Sequence, residues 1–93
     1  MAYFALIYEL VDDYMSRRGT FRDQHLKLAK ESNARGELAM GGAFADPPDK
    51  ALLVFRAEDR SVPESFAHDD PYVTNGLVKH WDVRPWTVVI GHT

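Results

Sequence analysis

The residues best suited to proton-transfer chemistry are a histidine, His25, and an aspartate much further along the chain, Asp70. Imidazole gains and loses a proton near neutral pH, so it can serve as a general acid or base. It needs a partner at its second ring nitrogen, and a buried carboxylate there would hold one tautomer and favour the protonated ring. Asp70 is the best candidate for that partner, because Pro71 restricts its backbone.

Both residues also have purely structural explanations. A histidine on an apolar helix face is often a core residue whose ring bonds to a backbone carbonyl. An Asp-Pro pair is a common signal for the end of a helix, and Asp69 and Asp70 would then be solvated. Spacing alone favours the structural explanation.

The segment Thr20–Gly36 has the pattern of one amphipathic helix with a histidine on its apolar face. Thr20 is the expected N-cap, and Gly36 is expected to end the helix in a left-handed conformation. Arg22 lies one turn before His25 and could hold an anionic group or a phenolate, although a solvent-facing role is the simpler one. At 100° per residue, an arc of about 100° contains Phe21, His25, Leu28, Ala29 and Ser32.

Other chemistry has weak support in the sequence. His68, Asp69, His80 and Asp82 carry atoms that bind metals, but no HExxH or similar ligand spacing occurs. Nucleophile elbows, Walker loops and dinucleotide fingerprints are absent from the sequence. We therefore expect neither a metal nor a cofactor.

Length and composition favour one small domain spanning residues 1–93. The net charge of −3 argues against a nucleic-acid partner, and no run of like charges suggests a membrane surface. There are no cysteines, which excludes disulfides and thiolate metal sites. No secretory leader or apolar stretch of about 20 residues is evident, so we expect a cytoplasmic protein.

Hydrophobic periodicity and turn signals predict the order strand–helix–strand–strand–helix–strand. This is the ferredoxin-like βαββαβ arrangement of the α+β class, an antiparallel sheet with both helices on one face. Val11–Gly19 is predicted as a loop, Tyr72–Gly76 as a connection, and Ser61 as an N-cap. The expected second helix is Ser61–His68. The expected strands are Ala2–Leu10, Leu38–Phe44, Ala51–Ala57 and Leu77–Ile90, the last of which Pro85 would bend.

The predicted strands are apolar on both sides, whereas two helices cover only one face of such a sheet. The simplest resolution is a homodimer in which two copies pack sheet against sheet. A monomer with this sheet exposed would carry an apolar patch far above the usual few hundred Å².

Several short motifs together resemble the YCII-related (YciI-like) proteins, in the same order and over essentially the whole chain. They are Arg22-Asp23-Gln24-His25-Leu26, Gly41-Gly42, Asp70-Pro71-Tyr72 and Val83-x-Pro85-Trp86. The resemblance implies a dimeric α/β barrel with an active site built on a histidine–aspartate pair, which corresponds to His25 and Asp70. One difference is that the family often has Gly-Pro after the second strand, where this chain has Gly41-Gly42-Ala43.

A member of that family is associated with dehydrochlorination of a chlorinated hydroxyhydroquinone, and muconolactone isomerases are similar in fold. We therefore expect a cofactor-independent lyase or isomerase that acts on a small molecule through His25 and Asp70. We expect the substrate to contact Arg22, Gly41, Gly42, Tyr72 and Trp86. The alternative is a non-catalytic dimer that binds a small ligand and in which His25 is structural.

Overall fold

The strands and helices follow one another in the order that the periodicity predicts, with one additional short helix. The computed structural model describes residues 1–91. Along this range the elements are β1 (Ala2–Leu10), α1 (Tyr14–Ala34), β2 (Leu38–Ala43), β3 (Lys50–Ala57), α2 (Ser61–Asp69), α3 (Pro71–Thr74) and β4 (Val78–Trp86). None of these helices is long and apolar enough to cross a bilayer.

The four strands form one antiparallel sheet in the order β2-β3-β1-β4. The two central strands, β1 and β3, are adjacent in the sheet although α1 and β2 separate them in sequence. This is the topology of the ferredoxin-like fold, so the predicted fold class is confirmed.

The two faces of the sheet have different surroundings. Alternate residues of β1 (Phe4, Leu6, Tyr8 and Leu10) are buried in a core that includes side chains from all three helices. The intervening residues point to the other face, where Tyr3 and Ile7 are only half-buried. The helices therefore cover one face of the sheet and leave the other without a helical layer.

The first helix begins earlier than its sequence pattern suggests, so the predicted loop at Val11–Gly19 is wrong. It starts at Tyr14, whose ring is 4% exposed and packs into the core. Thr20 lies inside the helix instead of capping it, because burial of Tyr14 outweighs the cost of Gly19 in a helix interior. Gly36 does adopt the predicted left-handed conformation, with φ of 81°.

The second half of the chain differs from prediction in three places. Arg60, not Ser61, occupies the N-cap position of α2, and Ser61 bonds to the Asp59 carboxylate. The predicted connection at Tyr72–Gly76 contains the one-turn helix α3. Strand β4 ends at Trp86 instead of Ile90, and it continues through Pro85 because an edge strand tolerates a missing N–H.

Candidate functional site

The centre of the site is the carboxylate of Asp70, which is fully buried and accepts three hydrogen bonds. Its Oδ1 accepts the backbone N–H of Tyr72 at 3.0 Å and faces His25 Nδ1 at 2.9 Å. Its Oδ2 accepts the Tyr8 hydroxyl at 2.7 Å. A buried carboxylate is costly unless donors surround it, and these three donors come from three different elements.

Local sequence explains how Asp70 reaches this position. Pro71 excludes the helical conformation for the preceding residue, and Asp70 is extended with ψ of 121°. Pro71 then begins α3 at the position where its missing N–H does no harm, and the Asp70 side chain caps the helix through the Tyr72 amide. The tripeptide Asp70-Pro71-Tyr72 thus ends one helix, starts the next and turns a carboxylate into the core.

The His25 ring is held from two directions. Nδ1 is paired with Asp70, and the ring plane stacks on Tyr72 with centroids 4.0 Å apart and an interplanar angle of 10°. Tyr14 in turn meets the Tyr72 ring edge-on at 5.7 Å. The His25 side chain remains 17% exposed, so the ring is fixed in orientation without being sealed off.

These contacts assign the tautomer of His25. A carboxylate oxygen can only accept, so Nδ1 donates to Asp70 and the neutral ring carries its lone pair at Nε2. Within residues 1–91 no hydrogen bond occupies Nε2. An imidazole oriented in this way can take a proton at Nε2, and the carboxylate behind it stabilises the imidazolium that results.

Tyr8 donates a hydrogen bond to the carboxylate of the histidine–aspartate pair, and the sequence pattern did not indicate it as a site residue. Burial, followed by the charge of Asp70 and the hydrogen bond to it, raises the pKa of Tyr8 far above its ordinary value. Its hydroxyl therefore stays protonated and always donates to Asp70 Oδ2. What the sequence offers is a tyrosine that alternates with Leu6 and Leu10 on the core-facing side of β1, where a hydroxyl needs a hydrogen-bond partner.

A cavity of about 400 Å³ opens beside His25. It lies between α1 and the β2–β3–β1 side of the sheet, and Tyr72 of α3 also lines it. This volume falls in the usual range of small-molecule sites, about 300–1,000 Å³. Apolar lining comes from Leu10, Leu26, Leu38 and Leu53.

The structure brings four of the five predicted substrate-contact residues to this cavity. Arg22, Gly41, Gly42 and Tyr72 all line it. A Cβ added at Gly41 would lie 3.3 Å from Leu53 Cγ, whereas one added at Gly42 would meet nothing within 4 Å. A side chain at Gly41 would therefore crowd Leu53, whereas one at Gly42 would not.

Trp86 lies elsewhere. It pairs with Tyr3 at the end of β4, on the sheet face away from the helices, and it does not line the cavity. Its side chain is 46% exposed. The single chain therefore does not bring Trp86 to His25.

The lining residues that were not predicted include Tyr14, Arg18 and Lys30. Arg18 stands four residues before Arg22, a spacing that places two side chains on the same side of a helix. That signal was hidden because Val11–Gly19 has the appearance of a loop. Across residues 1–91, no group of three or more His, Cys, Asp or Glu side chains is placed to hold a metal ion.

The Tyr72 hydroxyl is a buried polar group whose O–H has no acceptor in the described chain, and the Arg22 guanidinium lies near its oxygen. Burial raises the pKa of Tyr72, Tyr14 adds to the rise, and the nearby guanidinium groups of Arg22 and Arg18 oppose it. The hydroxyl is therefore protonated at neutral pH, with two cations close by.

Comparison with known proteins identifies the fold and the family of the chain. The fold is similar to that of 5-chloro-2-hydroxyhydroquinone dehydrochlorinase (TftG) from Burkholderia phenoliruptrix AC1100, solved in complex with 2,5-dihydroxybenzoquinone. The TM-score is 0.77 and the identity 19%, with 91% of this chain and 93% of that chain covered, so the likeness is one of fold. No curated protein matches the sequence. The YCII-related domain model matches residues 1–87, and the chain therefore belongs to the YCII-related family.

Proposed function

We propose that this protein is a small-molecule enzyme of the lyase or isomerase type, acting on an aromatic or related cyclic compound. The observation that carries the proposal is the His25–Asp70 pair, 2.9 Å apart, with a fully buried carboxylate and a ring that lines a cavity. The dehydrochlorinase activity of the structural neighbour is consistent with this class of reaction.

In the proposed reaction, His25 Nε2 removes a proton from an acidic O–H or C–H of the substrate. Asp70 stabilises the imidazolium through the hydrogen bond at Nδ1. In a dehydrochlorination, a ring hydroxyl proton first moves to the chlorine-bearing carbon, which gives a keto tautomer with chlorine on a tetrahedral carbon. The electron pair left when His25 removes a further proton then forms a ring C=C bond and expels chloride, so that the elements of HCl are lost. In an isomerisation, the imidazolium returns the proton to another atom of the same substrate.

The first test replaces the proposed acid–base group. His25→Asn should lower turnover by about 10²–10⁴-fold, which is the usual contribution of a general acid or base. The measurement is chloride release from chlorinated hydroxyhydroquinones, together with spectroscopic assays on a panel of cyclic lactones. His68→Asn is the matched control, because His68 is exposed on α2 and does not line the cavity.

Two outcomes would contradict the proposal. Turnover in His25→Asn equal to that of the wild type would show that His25 is structural. Ligand binding to the wild type without turnover of any compound in the panel would favour the non-catalytic binding module.

We also propose that two copies associate through the sheet face that carries no helices. The register places Tyr3 opposite Trp86 and Ile7 opposite Leu52 on this face. Met40 of β2, 69% exposed, pairs with Val54 in the register of this face and also borders the cavity. A second sheet packed here would remove this apolar surface from water.

A further inference from the structure

The cavity beside His25 has the opposite charge to the molecule as a whole. The chain carries a net charge of −3, yet the cavity is lined by three cations, Arg18, Arg22 and Lys30, and by no aspartate or glutamate. No ion pair to a carboxylate occupies any of the three within residues 1–91. Cations that converge on a concave site attract an anion, and low-dielectric walls strengthen the attraction.

The placement of these cations follows from α1. Tyr14, Arg18, Arg22, Leu26 and Lys30 recur every fourth residue, so they form a single row along the helix. All five line the cavity. Arg18 also lies over the Tyr14 ring, with its guanidinium carbon 5.8 Å from the ring centroid, which directs it along this row.

The Tyr72 hydroxyl supplies an independent indication that the cavity binds an anion. It is buried, protonated and without a hydrogen-bond acceptor in the described chain, and both Arg18 and Arg22 act on it electrostatically. The Arg22 guanidinium can only donate to the hydroxyl oxygen, so the O–H itself has no acceptor, and an acceptor supplied from outside would be favoured. Because Arg22 is exposed on the helix, movement of its side chain can admit a ligand oxygen to this hydroxyl.

We propose that the substrate enters with an ionised oxygen, which the guanidinium groups of Arg18 and Arg22 bind and to which the Tyr72 hydroxyl donates a hydrogen bond. Lys30 adds long-range attraction at the other end of the row. Guanidinium groups bind flat oxyanions through paired N–H donors, so the group is a carboxylate or an acidic ring hydroxyl that ionises at neutral pH. The substrate class is therefore an anionic cyclic compound of about one ring.

The anion site and the proton-transfer site are joined by one side chain. The Tyr72 ring stacks on the His25 imidazole, while its hydroxyl faces the arginines. A substrate bound by its ionised oxygen at Tyr72 thus has its remaining atoms beside the histidine. This inference rests on the proposed function only in calling the bound anion a substrate, because anion binding does not require turnover.

Binding of three one-ring probes tests the proposal. The probes are benzoate, which carries a carboxylate, 2,5-dihydroxybenzoquinone, which carries acidic ring hydroxyls, and benzamide, a neutral analogue of benzoate. Titrations followed by ¹H–¹⁵N NMR should show at least one of the two anions binding about tenfold or more tightly than benzamide. Affinity should also fall as salt is added, because screening weakens the attraction. Binding of only one anion would assign the ionised group as carboxylate or as ring hydroxyl.

Substitutions identify the residues responsible. Arg22→Gln and Arg18→Gln should each weaken binding of the anion about tenfold, and Lys30→Gln should weaken it less. The matched control is Arg35→Gln, because Arg35 is a basic residue just after the same helix, pairs with Glu37 and lies outside the cavity. Unchanged NMR spectra away from the cavity would show that each variant is folded.

Three results would overturn the proposal: benzamide binding as tightly as both anions, anion binding unaffected by the Arg18 and Arg22 substitutions, or no binding of any probe at millimolar concentration. His25→Asn separates this inference from the proposed function. Anion binding retained in that variant together with lost turnover supports both proposals. Retained turnover together with retained anion binding would refute the role of His25 and leave the anion site supported.

Discussion

At the scale of single residues, the site depends on one carboxylate whose acceptor positions are used by three donors. Asp70 binds an amide, a phenol and an imidazole at the same time. Two of these donors, Tyr8 and His25, belong to elements that are far from Asp70 in sequence. The sequence could predict His25 and could suggest Asp70, whose pairing with His25 the family resemblance strengthened. It could not predict Tyr8, because a tyrosine in an apolar strand has the same pattern as any core aromatic residue.

Removal of the Tyr8 hydroxyl should destabilise the fold at neutral pH. Tyr8→Phe leaves Asp70 Oδ2 buried without a donor, and a hydrogen bond to a charged group contributes about 1.5–3 kcal/mol. Urea unfolding at pH 7 measures the loss. Tyr3→Phe is the control, because Tyr3 is on the same strand but points away from the core. Equal stability of Tyr8→Phe and wild type would show that the hydrogen bond has no net value.

The same substitution should change the alkaline behaviour of the protein. The pKa of Tyr8 is raised in the folded state, so the folded chain keeps this proton while the unfolded chain loses it near pH 10. The unfolded state then binds fewer protons, and wild-type stability falls as pH rises above about 10. Tyr8→Phe lacks this titration, so the stability gap between the two proteins should narrow above pH 10. A gap that is constant from pH 7 to 11 would contradict the shift.

At the scale of elements, the row of cations on α1 depends on where that helix begins. Gly19-Thr20 has the composition of a helix start, and the polar stretch before it contains no apolar repeat. Tertiary burial of Tyr14 overrides that local pattern and extends the helix by six residues, from Thr20 back to Tyr14. Local propensity predicted the strands and the second helix within a few residues, whereas this boundary was set by packing against the sheet.

Gly19 offers a direct test of the longer helix. A Cβ at Gly19 would meet nothing within 4 Å, and glycine in a helix interior costs about 0.5–1 kcal/mol relative to alanine. Gly19→Ala should therefore raise the free energy of unfolding by about that amount. Gly36→Ala, at a position with φ of 81°, should lower it instead. No gain in Gly19→Ala would indicate that the chain around Gly19 is not helical.

At the scale of the whole molecule, one sheet carries two different surfaces. The helix-covered face contains the site, and the other face presents the apolar residues Tyr3, Ile7, Leu52 and Met40. Apolarity on both sides of the strands was readable from the sequence. The sheet face on which Trp86 lies could not be predicted from the sequence, because it depends on the register between β1 and β4.

The proposed association can be tested by placing a charge on the exposed sheet face. Leu52→Glu should convert a wild-type dimer into a monomer, since burial of an unpaired carboxylate in an interface is strongly unfavourable. Analytical ultracentrifugation at micromolar concentration distinguishes the two states. Met15→Glu is the control, because Met15 is 50% exposed on α1 and lies on the opposite side of the molecule. A monomeric wild type would refute the proposed dimer.

Asp70 contacts both the His25 ring and a backbone amide, so opening of the site can be followed at that amide. The same oxygen that pairs with His25 also accepts the backbone N–H of Tyr72, so that single amide is protected only while the carboxylate is in place. Its rate of hydrogen–deuterium exchange therefore reports how often the site opens in solution. The readiness of the histidine–aspartate pair can thus be followed in the free protein, without any substrate being known.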